Sequence, residues 1–145
     1  MTTTPIKCNQ PICYSFSSRW HRSLVNSRVK VFFRKVRPIR EPEITFFYVG
    51  TPFKQIVGYA QIQKIERVNL EQAKSIQNDG AISEKELENY FGNTSHVHAI
   101  WISNHQIFEE PFDLGKLKSE FGIFAPQNFF NVAQDLNEFL MGEHR

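Results

Sequence analysis

Two runs of extended, apolar-rich sequence, residues 44–49 and 55–65, give the most regular pattern in the chain. The first is an unbroken series of β-branched and aromatic residues, and turn-forming residues occupy positions 50–52 between the runs. This arrangement predicts a β-hairpin. Gly58 lies inside the second run, where glycine marks a bulge, a bend or a close approach of other backbone. The expected core face of this second strand carries Ile56, Gly58, Ala60, Ile62 and Lys64.

The residues before the hairpin predict a strand, a short helix and a second strand. Residues 12–16 form a short apolar strand, and Ser17 or Ser18 can cap a helix that continues to Val25. Residues 28–36 then alternate, which predicts one buried face and one cationic face that contains an aromatic ring. The predicted cationic face consists of Arg28, Lys30, Phe32, Arg34 and Val36.

After residue 67 the hydrophobic period changes to that of helices. Asn69 is placed to cap a helix up to residue 76, and residues 83–86 form a capping box that opens a second helix ending at Phe91. Residues 96–105 resume a strand that extends towards residue 112, with Trp101 expected in the core. Asp113 to Phe121 is expected to supply helical turns, and Pro126 is expected to start the last helix. Its predicted buried stripe is Phe129, Val132, Ala133, Leu136 and Leu140.

Strands on both sides of a helical insertion, without βαβ alternation, predict an α+β domain around a curved sheet of about five to six mainly antiparallel strands. With 145 residues, 41% of them hydrophobic, we expect a mobile arm at residues 1–11 and a single domain at residues 12–145. No apolar window is long enough for a transmembrane helix, and the start of the chain lacks the apolar segment of a signal peptide. The expected location is cytoplasmic, without a membrane partner.

The charges are distributed unevenly along the chain. Nine of the 17 basic residues lie in residues 1–40, and all 15 acidic residues lie beyond them. The two parts therefore have formal charges of about +9 and −7, an asymmetry that favours an anionic partner, most often nucleic acid. The alternative is that the acidic part folds back and neutralises the basic strand within the molecule.

The hairpin turn also has a family resemblance. The stretch Tyr48-Val49-Gly50-Thr51-Pro52-Phe53-Lys54-Gln55-Ile56-Val57-Gly58 resembles ASCH domains of the PUA-like superfamily, as do the helix at residues 83–91 and the stretch Ala125-Pro126-Gln127-Asn128-Phe129. The likeness covers roughly residues 12–131. It implies a small PUA-like β-barrel with short helices inserted and at the C-terminal end, and binding of RNA. A subset of the family acts as amidohydrolases on acetylated cytidine.

The chain departs from the amidohydrolase pattern of that family. The pattern Gly-x-Lys-x-x-Glu-x-Arg falls on Ser27, Val29, Phe32 and Arg34, so that only the arginine matches. Neither valine nor phenylalanine can ionise, and general acid–base or nucleophilic chemistry needs groups that can. We therefore expect a binding module rather than an enzyme, with no catalytic residues.

No other combination of residues in the sequence predicts a catalytic, metal or phosphate site. Cys8 and Cys13, even with His21, do not complete the ligand set of a structural zinc site, and His96 with His98 lacks a third ligand. No phosphate-binding glycine motif is present. We expect no metal and no cofactor.

These observations predict an RNA-binding module, for single-stranded or structured RNA and possibly single-stranded DNA. Its cleft is expected between the strand at 28–36 and the hairpin turn at 50–54, where Arg34 and Lys54 converge. The alternatives are an amidohydrolase on a modified nucleoside and a protein-interaction or regulatory module with a basic face. The predicted nucleic-acid-binding residues are Arg28, Lys30, Phe32, Arg34, Tyr48, Thr51, Lys54 and Gln127.

Overall fold

The structure is a computed structural model that describes residues 7–8 and 10–142, and side chains from residue 10 onwards. Six strands form a single sheet, and two very short strands form a separate pair. The strands are β1 (Lys7–Cys8), β2 (Ile12–Phe16), β3 (Val31–Arg34), β4 (Glu41–Pro42), β5 (Ile44–Val49), β6 (Gln55–Asn69), β7 (His96–Asp113) and β8 (Phe129–Asn131).

Five α-helices and two 3₁₀ turns connect or follow these strands. The 3₁₀ turns are Ser18–Trp20 and Gln77–Gly80. The helices are α1 (His21–Val25), α2 (Leu70–Ser75), α3 (Glu84–Phe91), α4 (Leu114–Phe121) and α5 (Gln134–Met141). The predicted capping residues Asn69 and Ser83 begin α2 and α3, and both form reciprocal capping boxes, with Gln72 and Glu86 respectively.

The large sheet has the strand order β3-β7-β6-β5-β2-β8 and is mainly antiparallel. The predicted hairpin is the β5–β6 pair, and the long strands β6 and β7 continue the sheet towards β3. The exception is β2, which runs parallel to β5 and antiparallel to β8. A mixed, curled six-stranded sheet with short helices confirms the predicted α+β barrel class.

Bulges curl the sheet at the position that Gly58 marks. The β6–β7 register shifts between Ile56 and Gly58, and further shifts follow along β6. A Cβ atom on Gly58 would overlap the carbonyl oxygen of Gln106, so the two strands approach too closely there for any side chain. The bulges also change which residues face inward: Val57 lines the barrel interior, whereas Ile56 packs on the outside. The prediction that a single face of β6 forms the core is therefore wrong.

Apolar side chains cover both faces of the sheet. The barrel interior contains alternate residues of β2 and β5 together with Phe32 and Ile100. On one outer face, Cys13 and Phe46 pack beneath α4 and α5; on the other, Val31 and Phe33 pack beneath α2 and α3. Consecutive residues of one strand are thus buried on opposite sides.

The C-terminal region differs from the prediction. Pro126 lies in a loop, residues 129–131 form β8, and the helix begins only at Gln134. Val132, Leu136 and Leu140 are buried as predicted, but Phe129 belongs to a strand. Trp101 is half-buried at the margin of the outer cluster beneath α2 and α3, and its Nε1 donates to Glu66 at 2.8 Å.

The predicted N-terminal arm falls largely on residues outside those described. Within it, β1 pairs in parallel with β4. None of the helices in residues 10–142 combines the length and the apolar character that a membrane span requires.

Candidate nucleic-acid interface

Arg34, at the end of β3, projects towards β2 across the opening of the curled sheet. Its Nη2 donates to the carbonyl oxygen of Ser15 at 2.7 Å, and its Nη1 donates to Phe33 at 3.0 Å. The guanidinium carbon lies 4.6 Å from the ring centroid of Phe16 and 5.0 Å from that of Phe32. Burial lowers the pKa of Arg34 from its ordinary value, but an arginine remains charged at neutral pH.

Two of the five N–H donors of Arg34 are used in these bonds, and three remain for a ligand. The side chain forms part of a cavity of about 280 Å³, here called the Arg34 cleft. The cleft is lined by Trp20, Phe33, Arg34, Ile82, Glu86, Asn89 and Tyr90.

Cations accompany the two aromatic walls of the Arg34 cleft. The Arg19 guanidinium carbon lies 4.0 Å from the centroid of Trp20, and Nζ of Lys35 lies 5.1 Å from that of Tyr90. The Tyr90 hydroxyl accepts a hydrogen bond from the backbone N–H of Lys35 at 2.9 Å. Rings interleaved with cations are the usual composition of surfaces that bind single-stranded nucleic acid.

An ion pair joins the 3₁₀ turn before α1 to helix α3 beside the cleft. Arg19 donates from Nε and Nη2 to the carboxylate of Glu86, each at 2.7 Å, and Nη2 also donates to the carbonyl oxygen of Ala81 at 2.9 Å. The bonds from Arg19 and from the Ser83 backbone lower the pKa of Glu86 to about 2. Glu86 is therefore a carboxylate at neutral pH, and it neutralises one of the nine early basic residues. Internal neutralisation, the alternative reading of the charge pattern, applies to Arg19.

The hairpin turn adjoins the cleft through β2 and α1. The backbone N–H of Gly50 donates to Phe16 at 2.9 Å, next to the Ser15 carbonyl that Arg34 holds. The Phe53 ring stacks on His21, with centroids 3.7 Å apart and planes at 2°, and Trp20 of the cleft precedes His21 in the chain. Arg34 and the hairpin turn are thus both anchored at the end of β2, whereas Lys54 itself does not line the Arg34 cleft.

Lys54 is exposed and adopts a left-handed backbone conformation with φ of 52°. Non-glycine residues with branched or long side chains avoid this region. Two backbone contacts hold it: the carbonyl oxygen of Lys54 accepts from Leu114 at 2.8 Å, and its N–H donates to Gly50 at 3.3 Å. The turn therefore fixes the point at which this cation leaves the backbone. Thr51, in the same turn, is exposed.

Arg28 and Lys30 lie on the other side of the cleft. Both are exposed and line a cavity of about 440 Å³ together with Asp79 and Ala81. The backbone N–H of Lys30 donates to Asp79 at 2.7 Å, which fixes the start of β3 against the 3₁₀ turn. Because Ile82 lines the Arg34 cleft, the two cavities are adjacent along the segment from Ala81 to Ile82.

Gln127 is exposed in the loop before β8. Its neighbour Asn128 accepts a hydrogen bond from the backbone N–H of Ser15 at 2.8 Å. Gln127 is thereby held next to the residue whose carbonyl binds Arg34.

The prediction that Phe32 or Tyr48 stacks on a base is wrong, because both rings are buried. Phe32 is 1% exposed and packs edge-on against Tyr14 and Phe16 inside the barrel, because β3 is covered on both faces. Tyr48 is 4% exposed and belongs to the outer cluster beneath α4 and α5. Neither ring offers a face to a base.

Sequence reasoning did not single out Trp20, Asn89 and Tyr90 as site residues. Trp20 was assigned to the helix after Ser17, and the other two lie near the end of a predicted helix. For Asn89 the signal that could have found it is its place on the exposed side of α3, opposite the buried Leu87 and Phe91.

The positions that correspond to ionisable residues in the amidohydrolase pattern are in the barrel interior. Val29 is fully buried and Phe32 nearly so. Across residues 10–142 no three His, Cys, Asp or Glu side chains come together as metal ligands would.

The curled six-stranded sheet, with apolar clusters inside and beneath two pairs of helices, defines a small α+β barrel. The fold is that of an ASCH domain. An ASCH protein from Zymomonas mobilis superposes with a TM-score of 0.85 at 20% sequence identity, covering 93% of this chain and 96% of that one. A point variant of that protein gives 0.83 at 21% identity, over 97% and 99% of the two chains. The resemblance deduced from the hairpin turn is thus confirmed in the fold.

Two other proteins are also similar to this chain. The N-terminal domain of Staphylothermus marinus McrB superposes with a TM-score of 0.55 at 8% identity, covering 91% of this chain and 93% of that one. The ATP synthase subunit alpha of Ureaplasma parvum is 30% identical over 115 residues, which make up 78% of this chain and 14% of that protein. The chain therefore spans about a seventh of the length of that relative. No family model matches the sequence.

Proposed function

We propose that this protein binds RNA, single-stranded or structured, along the surface that runs from Arg28 and Lys30 through the Arg34 cleft to the hairpin turn at 50–54. The observation that carries the proposal is the position of Arg34, a half-buried cation with three unused donors at the base of a cleft walled by Trp20 and Tyr90. The ASCH fold is consistent with it, because RNA binding is expected of these domains.

Each part of this surface has a distinct role in the proposal. Arg34 donates to a base edge or a phosphate that enters the cleft, since a guanidinium presents paired donors in a fixed geometry. Trp20 and Tyr90 provide the stacking contacts, in place of the buried Phe32 and Tyr48. Asn89 adds an amide that can both donate and accept.

The flanking cations act on the phosphate backbone. Arg28, Lys30 and Lys54 are exposed, and none of them is in an ion pair with another described side chain. Their contribution is sequence-independent attraction, whereas Thr51 and Gln127 supply hydrogen bonds at the turn and at the loop before β8. Asp79 lines the same cavity as Arg28 and Lys30 but forms no ion pair with either of them.

The test is a salt series of RNA affinity with single-stranded RNA of about 12 nucleotides. For the wild-type protein we expect log affinity to fall linearly with log salt, and each phosphate contact that is removed should lower the slope by about 0.7. Arg34→Ala should cost about 1–3 kcal/mol of binding and reduce discrimination among sequences, while Lys30→Ala weakens all sequences equally.

Lys118→Ala is the matched control, because Lys118 is an exposed lysine on α4 over the Phe124 ring and lines neither the Arg34 cleft nor the cavity of Arg28 and Lys30. It should leave affinity unchanged. An affinity that does not respond to salt, or equal effects of Lys118→Ala and Lys30→Ala, would contradict the proposal. DNA of the same sequence separates RNA preference from general single-strand binding.

A further inference from the structure

A second basic cavity lies at the other end of β2. Its volume is about 640 Å³, within the range of small-molecule sites, and it is formed by the segment 36–42, Gln10 and strand β8. The hairpin turn is anchored at Phe16, where β2 ends, whereas this cavity lies beside Gln10, before β2 begins. It shares no lining residue with the Arg34 cleft or with the cavity beside Arg28 and Lys30.

Two arginines give the cavity its charge. Arg37 and Arg40 are exposed, both line it, and among the side chains of residues 10–142 neither is in an ion pair. Among the described residues no carboxylate lines the cavity: the neighbouring Glu41 is buried, with 5% exposure, and is not part of the wall. Arg37 Nε donates to the carbonyl oxygen of Pro38 at 3.4 Å, which leaves its Nη donors for a ligand. Guanidinium groups in a concave site match the oxygens of a phosphate.

The remaining wall is apolar and aromatic, with amides at its edge. Phe129 is half-buried, its ring centroid is 5.4 Å from that of Tyr14, and it lines the cavity. Ile39 and Val36 are exposed large apolar residues that both line the cavity, and contiguous exposed apolar surface is typical of interaction sites. Gln10 and Asn131 contribute side-chain amides that can both donate and accept.

We propose that this cavity binds a nucleoside monophosphate group, with the phosphate on Arg37 and Arg40 and the base against Phe129 and Ile39. The combination of paired cations, an aromatic ring and two amides corresponds to the three parts of such a ligand: phosphate, base plane and base edge. The group can come from a free nucleotide or from the 5′-phosphorylated end of an RNA strand.

The experiment measures binding of the four ribonucleoside monophosphates by calorimetry, with inorganic phosphate and the unphosphorylated nucleosides as references. We expect at least one nucleotide to bind saturably and about tenfold or more tightly than phosphate or its own nucleoside. Arg37→Gln and Arg40→Gln should each lower the affinity for that nucleotide about tenfold, because each removes a charged hydrogen-bond donor. Arg22→Gln, an exposed arginine on α1 near the hairpin turn, is the matched control and should change nothing.

Phe129→Leu distinguishes the contact with the base from the charge interaction with the phosphate. It should lower the affinity for the nucleotide and leave the affinity for inorganic phosphate unchanged. Its folding is checked by circular dichroism, and Arg40→Gln, at an exposed position, provides the test if Phe129→Leu does not fold. RNA with and without a 5′-phosphate identifies the source of the group. If only the phosphorylated end binds, and Arg40→Gln abolishes that difference, the site belongs to RNA ends.

The proposal is overturned if neither nucleotides nor phosphorylated RNA bind saturably, or if they bind equally well to Arg37→Gln, Arg40→Gln and Arg22→Gln. RNA binding along the Arg34 surface is tested with other residues. Nucleotide binding that survives Arg34→Ala while the RNA salt series fails would separate the two proposals.

Discussion

Arg34 and Ser15 are joined by a hydrogen bond of 2.7 Å although their strands, β3 and β2, are separated in the sheet by β7, β6 and β5. The sheet curls until its edge strand returns to β2, and a side chain rather than a backbone ladder spans the gap there. One residue thus belongs both to the barrel and to the candidate site.

Arg34→Lys tests the structural half of this relationship. A lysine retains the charge but has no planar fork with which to hold Ser15 and Phe33 while lying against the aromatic rings. We expect the free energy of unfolding to fall by about 1–3 kcal/mol, measured by urea denaturation. Arg22→Lys, at an exposed position on α1, should be neutral; equal stability of both variants would mean that the bond to Ser15 contributes nothing.

Lys54→Asn tests whether the turn gives up stability to position a cation. Asparagine tolerates the left-handed conformation that Lys54 adopts, so the free energy of unfolding should stay constant or rise by up to about 1 kcal/mol. RNA affinity should fall for all sequences, and the salt slope should decrease by about 0.7. The two quantities are measured on the same preparation. A loss of stability together with unchanged RNA affinity would show that Lys54 serves the fold instead.

The two tryptophans provide an internal optical test. Trp20 lines the Arg34 cleft, whereas Trp101 lies on β7 and donates to Glu66. In Trp101→Phe the remaining fluorescence should change on RNA addition, because a base stacks beside Trp20. In Trp20→Phe it should not. A fluorescence change from Trp101 alone would indicate that RNA binds on the β6–β7 side of the molecule instead.

Gly58→Ala tests the bulge. The added methyl group would overlap the Gln106 carbonyl, and backbone must move to admit it. The expected cost is about 1–3 kcal/mol of unfolding free energy, from thermal or urea denaturation. Gly50→Ala is the control, since its methyl group would come no closer than 3.8 Å to Phe16 and should change stability by less than about 0.5 kcal/mol.

His98 makes stability depend on pH. Burial lowers the pKa of His98 below its ordinary 6.5, and the nearby Arg37 and Arg67 act in the same direction. The unfolded chain therefore binds the proton more tightly than the folded one, and stability falls as the pH drops from about 6.5 towards the lowered folded pKa. His98→Gln should flatten this part of the curve, measured as the urea midpoint between pH 7.5 and 5. Parallel curves for the two proteins would assign the dependence to the other histidines.

The elements that the sequence predicted best are those determined locally. Asn69 and Ser83 cap their helices through contacts three residues away. A glycine inside a strand, here Gly58, by itself indicates a bulge or a close approach of other backbone. The failures involve distant partners. Residues 129–136 have helical spacing, yet Phe129–Asn131 pairs with β2 at the other end of the sequence. No pattern within the segment reveals that partner.

In the candidate site too, local features were predicted correctly and features that depend on distant partners were not. Alternation in β3 correctly separates two faces, but it cannot show that both are covered, so Phe32 looked available for stacking and is not. Trp20 and Tyr90 meet at Arg34 because the edge strand returns to β2, a consequence of the accumulated bulges. The cavity near Arg37 depends on β8, whose position was not predicted.

The pairing of β2 with β8 also has a consequence for how the protein is made. β8 has no other partner in the sheet, so the outer edge of β2 stays unpaired on a nascent chain until residue 131 has left the ribosome. An exposed strand edge can pair with other chains, and the edge of β2 is the last one in this sheet to be covered as the chain is made. Slowing translation after α4 prolongs this exposure and should therefore lower the soluble yield.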